Sequence, residues 1–264
     1  MRPLPPLIRA LFAFGLSLAA GAPALAAAQD AAPAPAPDAA SARPAALQPF
    51  VASYEAWYGG KPAGTATMQV VRDDAAARWR IDLGIHGNRG FAGIVGLNLE
   101  QSTVFDEANG IFRPLSQSTV RKAAVFFNRR VTGTYDWHAN TARWSGDIKE
   151  ARRAPVPIQY GDMSGLLINL AVIRDAEPGK QLQYRFVDGG RVRDYQFRVA
   201  EQTEPVTVGE MSYEAMRVER TNGGNDEMVI WVASGAPTPV RILQRENGED
   251  AVDLRLSEYQ GTMQ

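Results

Sequence analysis

Alternation of apolar and polar residues, interrupted at short intervals by glycine-rich turns, constrains this chain more than any other feature. Trp79, Ile81, Leu83 and Ile85 alternate with Arg80, Asp82, Gly84 and His86. Val131, Gly133, Tyr135 and Trp137 alternate with Thr132, Thr134, Asp136 and His138, and Val252, Leu254 and Leu256 with Asp253, Arg255 and Ser257. A period of two with one apolar face is the signature of a half-buried antiparallel strand. Turn residues separate the runs at Gly59-Gly60, Asp106 to Gly110, His138 to Asn140, Asp188 to Gly190, Asn222 to Gly224 and Asn247-Gly248. They supply the positive φ angles of tight hairpins, so the spacing predicts about 13 strands in an antiparallel sheet.

One segment departs from the pattern. Leu166, Leu167, Ile168, Leu170, Ala171, Val172 and Ile173 surround a predicted helix over about 163–174, with Asp162 as its expected cap and Pro178-Gly179 as its stop. A helix apolar on all sides is buried on all sides. The expected fold is therefore mainly β: a large curved antiparallel sheet, or a partly open β-barrel, wrapping one buried α-helix. Asn88 to Gly96 reads as a flexible connector or short helix between strands. The helix divides the strands into a group from Phe50 to Asp147 and another from Leu182 to Tyr259.

The patterned domain is expected to span 49–264. Ahead of it, 27–48 is an Ala/Pro-rich linker that cannot bury a core; 15 of the 21 residues from Ala27 to Leu47 are Ala or Pro. Residues 1–26 have the form of a secretory signal peptide: Arg2 and Arg9, an apolar stretch from Ala10 to Ala20, then small residues at Ala24 and Ala26 for the peptidase. The expected location is the periplasm. No cysteine occurs, so the chain is not a lipoprotein, and thiolate chemistry and cysteine–metal sites are excluded. After the signal, no apolar run reaches the roughly 20 residues of a membrane-spanning helix.

Charge narrows the partners. Of 28 Lys and Arg the leader removes two, leaving 26 against 29 Asp and Glu, net −3, which argues against nucleic acid. Locally the balance is uneven. Arg113 to Arg153 carries nine basic residues against three acids; Glu201 to Gln264 carries five against twelve. Neighbouring strands pairing opposite charges would account for this. A basic patch for an anionic envelope component is the sharper reading, with Arg121, Lys122, Arg129 and Arg130 as its candidates.

Catalytic signals are sparse. His86 and His138 are the only histidines, one on the polar side of a strand and one at a turn. No Gly-x-Ser-x-Gly elbow, His-Glu-x-x-His motif or phosphate-binding loop is present. No catalytic residue, cofactor or metal is assigned. Asn225, Asp226 and Glu227 beside the strand that contains Trp231 are a secondary place to look, although a plain hairpin explains them. Aromatics such as Tyr54, Trp57, Trp79, Tyr184 and Tyr195 fit core packing, or the lining of an apolar cavity where a sheet curls.

Several stretches together resemble the bacterial family known as domain of unknown function 3108. They are Tyr54 to Ala66 (YEAWYGGKPAGTA), Arg113-Pro114-Leu115, Asp162 to Leu167, Tyr213-Glu214-Ala215, Ile230-Trp231-Val232 and Pro239 to Ile242. The resemblance implies an exported, mainly β domain and carries no activity or catalytic residues. The plan is also similar to lipoprotein-carrier half-barrels, in which a curved sheet wraps helices. The leading expectation is a non-enzymatic periplasmic protein binding a lipid-like, envelope-derived ligand or an envelope protein through a curved sheet. A structural or assembly factor of the envelope is the alternative, and a hydrolase of envelope polymer the third.

Overall fold

The computed structural model describes residues 47–90, 93, 96–123 and 127–261. The signal and cleavage residues Ala24 and Ala26, most of the linker, and part of the Asn88 to Gly96 connector lie outside the described residues.

Fourteen strands form one antiparallel sheet. In the first group are β1 (Phe50–Tyr58), β2 (Lys61–Asp73), β3 (Arg78–Gly87), β4 (Asn98–Ala108), β5 (Ile111–Ala123), β6 (Phe127–Asp136), β7 (Thr141–Gly146) and the two-residue β8 (Val156–Pro157). A 3-10 turn, Glu150–Arg152, precedes β8. Helix α1 (Gly165–Asp175) follows it. The second group is β9 (Gln181–Asp188), β10 (Arg191–Val208), β11 (Met211–Arg220), β12 (Glu227–Ala233), β13 (Arg241–Glu246) and β14 (Glu249–Gly261). The strand beyond the expected 13 is β8, too short to leave an alternation.

Each strand pairs with its neighbours in sequence, and β1 pairs with β14, so the two groups join in mid-sheet. The free edges are β8 and β9, the strands on either side of α1. No β8–β9 ladder closes the ring among the described residues. A single parallel bridge, Met163 with Phe186, spans the seam, with Met163 N donating to Arg185 O and Val187 N to Met163 O. Both faces of β9 are covered there: Phe186 belongs to the main core, whereas Val187 packs with Tyr135, Trp144 and Ile158. The β6–β8 end thus laps over the outside of β9, and the sheet curls as a spiral that stops short of a closed barrel.

Hairpin chemistry matches the sequence. Asn109-Gly110 and Asn247-Gly248 both have positive φ at both positions (52° and 76°; 52° and 82°), the geometry of a two-residue turn that follows the strand twist.

Helix α1 lies inside the curl. Leu166, Leu167, Ile168, Leu170, Ala171 and Val172 are buried and join the main cluster with Met68, Ile81, Phe105, Phe186, Phe197 and Ile230. Its start differs from expectation. The N-cap is Ser164, which makes no capping bond; its hydroxyl is 3.0 Å from that of Thr103 on β4. Asp162 does not cap. Its Oδ2 accepts from Arg185 Nη1 and from Gln159 N, because the chain must turn across the seam before a helix can begin. At the other end Arg174 donates to Gly110 O, and its guanidinium lies 4.8 Å from the centre of the Phe112 ring. The helix C-terminus therefore plugs the mouth of the curl at the β4–β5 turn. The opposite mouth, toward the helix N-terminus, is open.

Candidate functional site: an apolar groove at the open mouth

Strand alternation builds the site. On β3 the inward residues run from Leu83, within the core, to the partly exposed Ile85, and on β4 they end with Leu99. Across the sheet Ile242 on β13 pairs with Leu254 on β14, and Gln244 with Val252. Helix α1 supplies Gly165, Ile168 and Asn169, and the seam supplies Phe186 and Tyr195. These residues, with Met228, bound a groove of about 690 Å³ of atom-free space, part of it continuous with solvent. A shallower extension reaches the lip through Ile85, Leu99 and Val252 to Trp57 and Gly87.

The helix fills the depth of the curl but not its mouth. At the N-terminal end of α1 the helix offers the groove Gly165, Ile168 and Asn169, and Gly165 has no side chain to fill it. Its apolar wall carries no carboxylate.

Beside this wall lies a polar one. Thr103, Gln117, Thr119, Gly165 and Asp188 line a small recess that meets the groove at Gly165. Gln117 donates to Asp188, and Tyr135 donates to Val187 O and to Gln117 Oε1. Burial pushes the Asp188 carboxyl up from its ordinary value; the Gln117 bond and the charges of Arg193 and Arg121 pull it back.

The four basic candidates do not share a face. Arg121 pairs with Leu99 and Arg129, so these two arginines point inward. Lys122 and Arg130 are exposed on the outside, Arg130 opposite Val120 and Lys122 opposite Asn98. A period of two divides neighbours in sequence between the faces. The uneven charge halves do not neighbour each other either: β5–β7 pair with β4 and β8, while β11–β14 pair among themselves and with β10 and β1. The expectation of adjacent strands pairing opposite charges is corrected accordingly.

Glu246 at the end of β13 is pushed up to about 7 by burial and then by Asp226. Its folded value lies above its unfolded one, so folding retains a proton and Glu246 lowers stability as pH rises from about 4.5 to 7. Glu246→Gln is expected to melt higher than the parent at pH 8, with the gap closing by pH 4. Thermal melts across that range check it.

The remaining candidates are structural. His86 Nδ1 lies 2.9 Å from Asn98 Oδ1, and His138 sits in an exposed turn. Asn222 ties the β11–β12 turn to β10, its Nδ2 donating to Asp194 O and its Oδ1 accepting from Gln196 N. Among the described residues no group of three His, Asp or Glu is placed to hold a metal ion, and no helix is long and apolar enough to cross a membrane.

A family model described as "Protein of unknown function (DUF3108)" matches residues 53–255. No curated protein matches the chain significantly. Among solved structures, the beta-barrel-like DUF1849 protein of Brucella abortus is similar at 11% identity, covering 83% of this chain and 99% of that one, with a TM-score of 0.51. A DUF1089 family protein of Pseudomonas aeruginosa aligns at 10% identity over 70% of this chain and 90% of that one, with a TM-score of 0.36. At such identity the first likeness concerns the fold alone.

Proposed function

The chain belongs to the DUF3108 family, proteins of unknown function, and on that premise we propose that it is an exported, non-enzymatic protein holding an apolar, envelope-derived ligand in the open mouth of its sheet. The observation that carries this reading is the aliphatic groove between α1 and the sheet, lined by Leu83, Ile85, Leu99, Ile242 and Leu254. Leu83, Leu99, Ile242 and Leu254 are already buried by the fold, but Ile85, Met228 and Val252 keep part of their apolar surface exposed, and a ligand that covers it gains about 0.8 kcal/mol for each CH₂ buried. The leader-like residues 1–26 support an envelope location, where acyl chains are abundant.

A polymer hydrolase is supported less well. It needs two acids in the cleft itself, but Glu246 and Asp226 interact on the rim, and the wall between them and the helix is hydrocarbon. Sugar recognition needs more polar lining than this. A scaffold role through the outer face finds no comparable feature.

Native mass spectrometry of the full chain with a long-chain acyl probe tests the reading. One saturable adduct per chain is expected. A bare protein at every probe concentration would remove the carrier function.

A further inference from the structure

The inward-facing charge at the mouth is one-sided, and this deepens the carrier reading, on which it rests. Arg121 on β5 stands beside Leu99 of the groove wall, and Arg129 on β6 stands beside Arg121. On β10, Arg193 pairs with Phe186 of the groove, its guanidinium 5.8 Å from that ring's centre. Arg220 on β11 lies 3.9 Å over the ring of Tyr195, another wall residue. Asp188 is the inward-facing strand carboxylate among these four arginines, and its charge is felt by both Arg121 and Arg193. Asp226 acts on Arg220 as well as on Glu246 at the end of β13.

We propose that the ligand is an acyl chain bearing an anionic head, its chain lying along Leu83, Ile85, Leu99 and Leu254 and its head against Arg121 and Arg193. Charge complementarity selects this occupant. An uncharged hydrocarbon gains nothing from the basic wall, and a cationic amphiphile would meet net repulsion there. The arginines also act on one another. Burial, and after the opposing pull of Asp188 the charge of Arg129, hold the Arg121 guanidinium below its ordinary value. Burial and then Arg152 and Arg193 do the same to Arg191, at the β9–β10 turn. An arriving anion relieves that repulsion, and guanidinium groups suit carboxylate and phosphate oxygens geometrically.

The test compares three single-chain probes of equal length, palmitate, hexadecyl phosphate and hexadecanol, on the full chain and on Arg121→Gln and Arg193→Gln. Both anions are expected to bind at least tenfold more tightly than the alcohol, and each variant to lose about tenfold for the anions while the alcohol stays unchanged. The ratio of palmitate to phosphate tells which head is preferred. Two variants guard against one failing to fold, and the parent's anion affinity falling with added salt is a further expected result. Equal binding of all three probes, unaffected by either substitution or by salt, overturns the anionic head while leaving the apolar groove standing. Binding of none overturns both.

Discussion

Leu167→Ala is expected to destabilise the protein by about 3–5 kcal/mol, and Leu167→Asp to abolish its cooperative unfolding transition. Leu167 has no exposed surface. It sits in the first turn of α1 and belongs to the main core, so no neighbour can collapse into the space without moving a strand. The alanine variant loses the transfer energy of the side chain and leaves a cavity. The aspartate variant also puts a carboxylate into the hydrocarbon core, a cost that the N–H groups of the first helical turn offset only in part. Domains of this kind have about 5–15 kcal/mol in total. Urea unfolding followed by tryptophan fluorescence checks both. A midpoint for Leu167→Asp within experimental error of the parent would place α1 outside the core.

The second large effect is on the outer face. Asp253 is 3% exposed and accepts from Arg241 Nε and Nη2 at 2.8 Å and from Arg255 Nε at 2.9 Å. Each arginine is held over an aromatic ring, Arg241 4.8 Å from Trp231 and Arg255 4.3 Å from Trp57. Asp253→Ala leaves two facing guanidinium groups without their shared acceptor. Removing one partner of a buried ion pair costs about 3–5 kcal/mol; Arg241 and Arg255 remain 26% and 32% exposed, which places this case near 3. Adding Arg241→Met to the alanine variant is expected to recover part of the loss, since it removes one of the opposed charges. A double-mutant cycle measured by urea unfolding decides it. The consequence reaches the groove, because Val252 and Leu254 on either side of Asp253 line its wall.

Much of the fold could be read from the residues. Trp79, Ile81, Leu83 and Ile85 face inward as their alternation requires, and the helix that is apolar all round is buried. Other features could not be read from local pattern. The β1–β14 pairing joins the two ends of the domain, and no nearby residue signals a partner some 200 positions away. Asp253 follows the solvent-facing parity of its strand and is nonetheless buried, with Arg241 and Arg255 bonded to it and Trp57 opposite it on β1. Asp162 has the residue type and position of a cap; its actual partner, Arg185, is across the seam. The inner wall of β5 inverts the usual pattern, with Gln117, Thr119 and Arg121 turned inward while Val120 is outward. Alternation there points the basic residues to solvent, so the charged side of the groove stayed hidden. The groove itself depends on where α1 stops filling the curl, which is a matter of three-dimensional register.

Titrating the full chain with a fluorescent acyl probe, alongside a variant whose groove is filled by Met228→Trp, is the most direct test of the account. Saturable binding at one site is expected for the parent, with loss of at least tenfold in affinity for the variant at an unchanged melting temperature. Binding that never saturates, or equal affinity in both proteins, would contradict a ligand held in the mouth of the sheet.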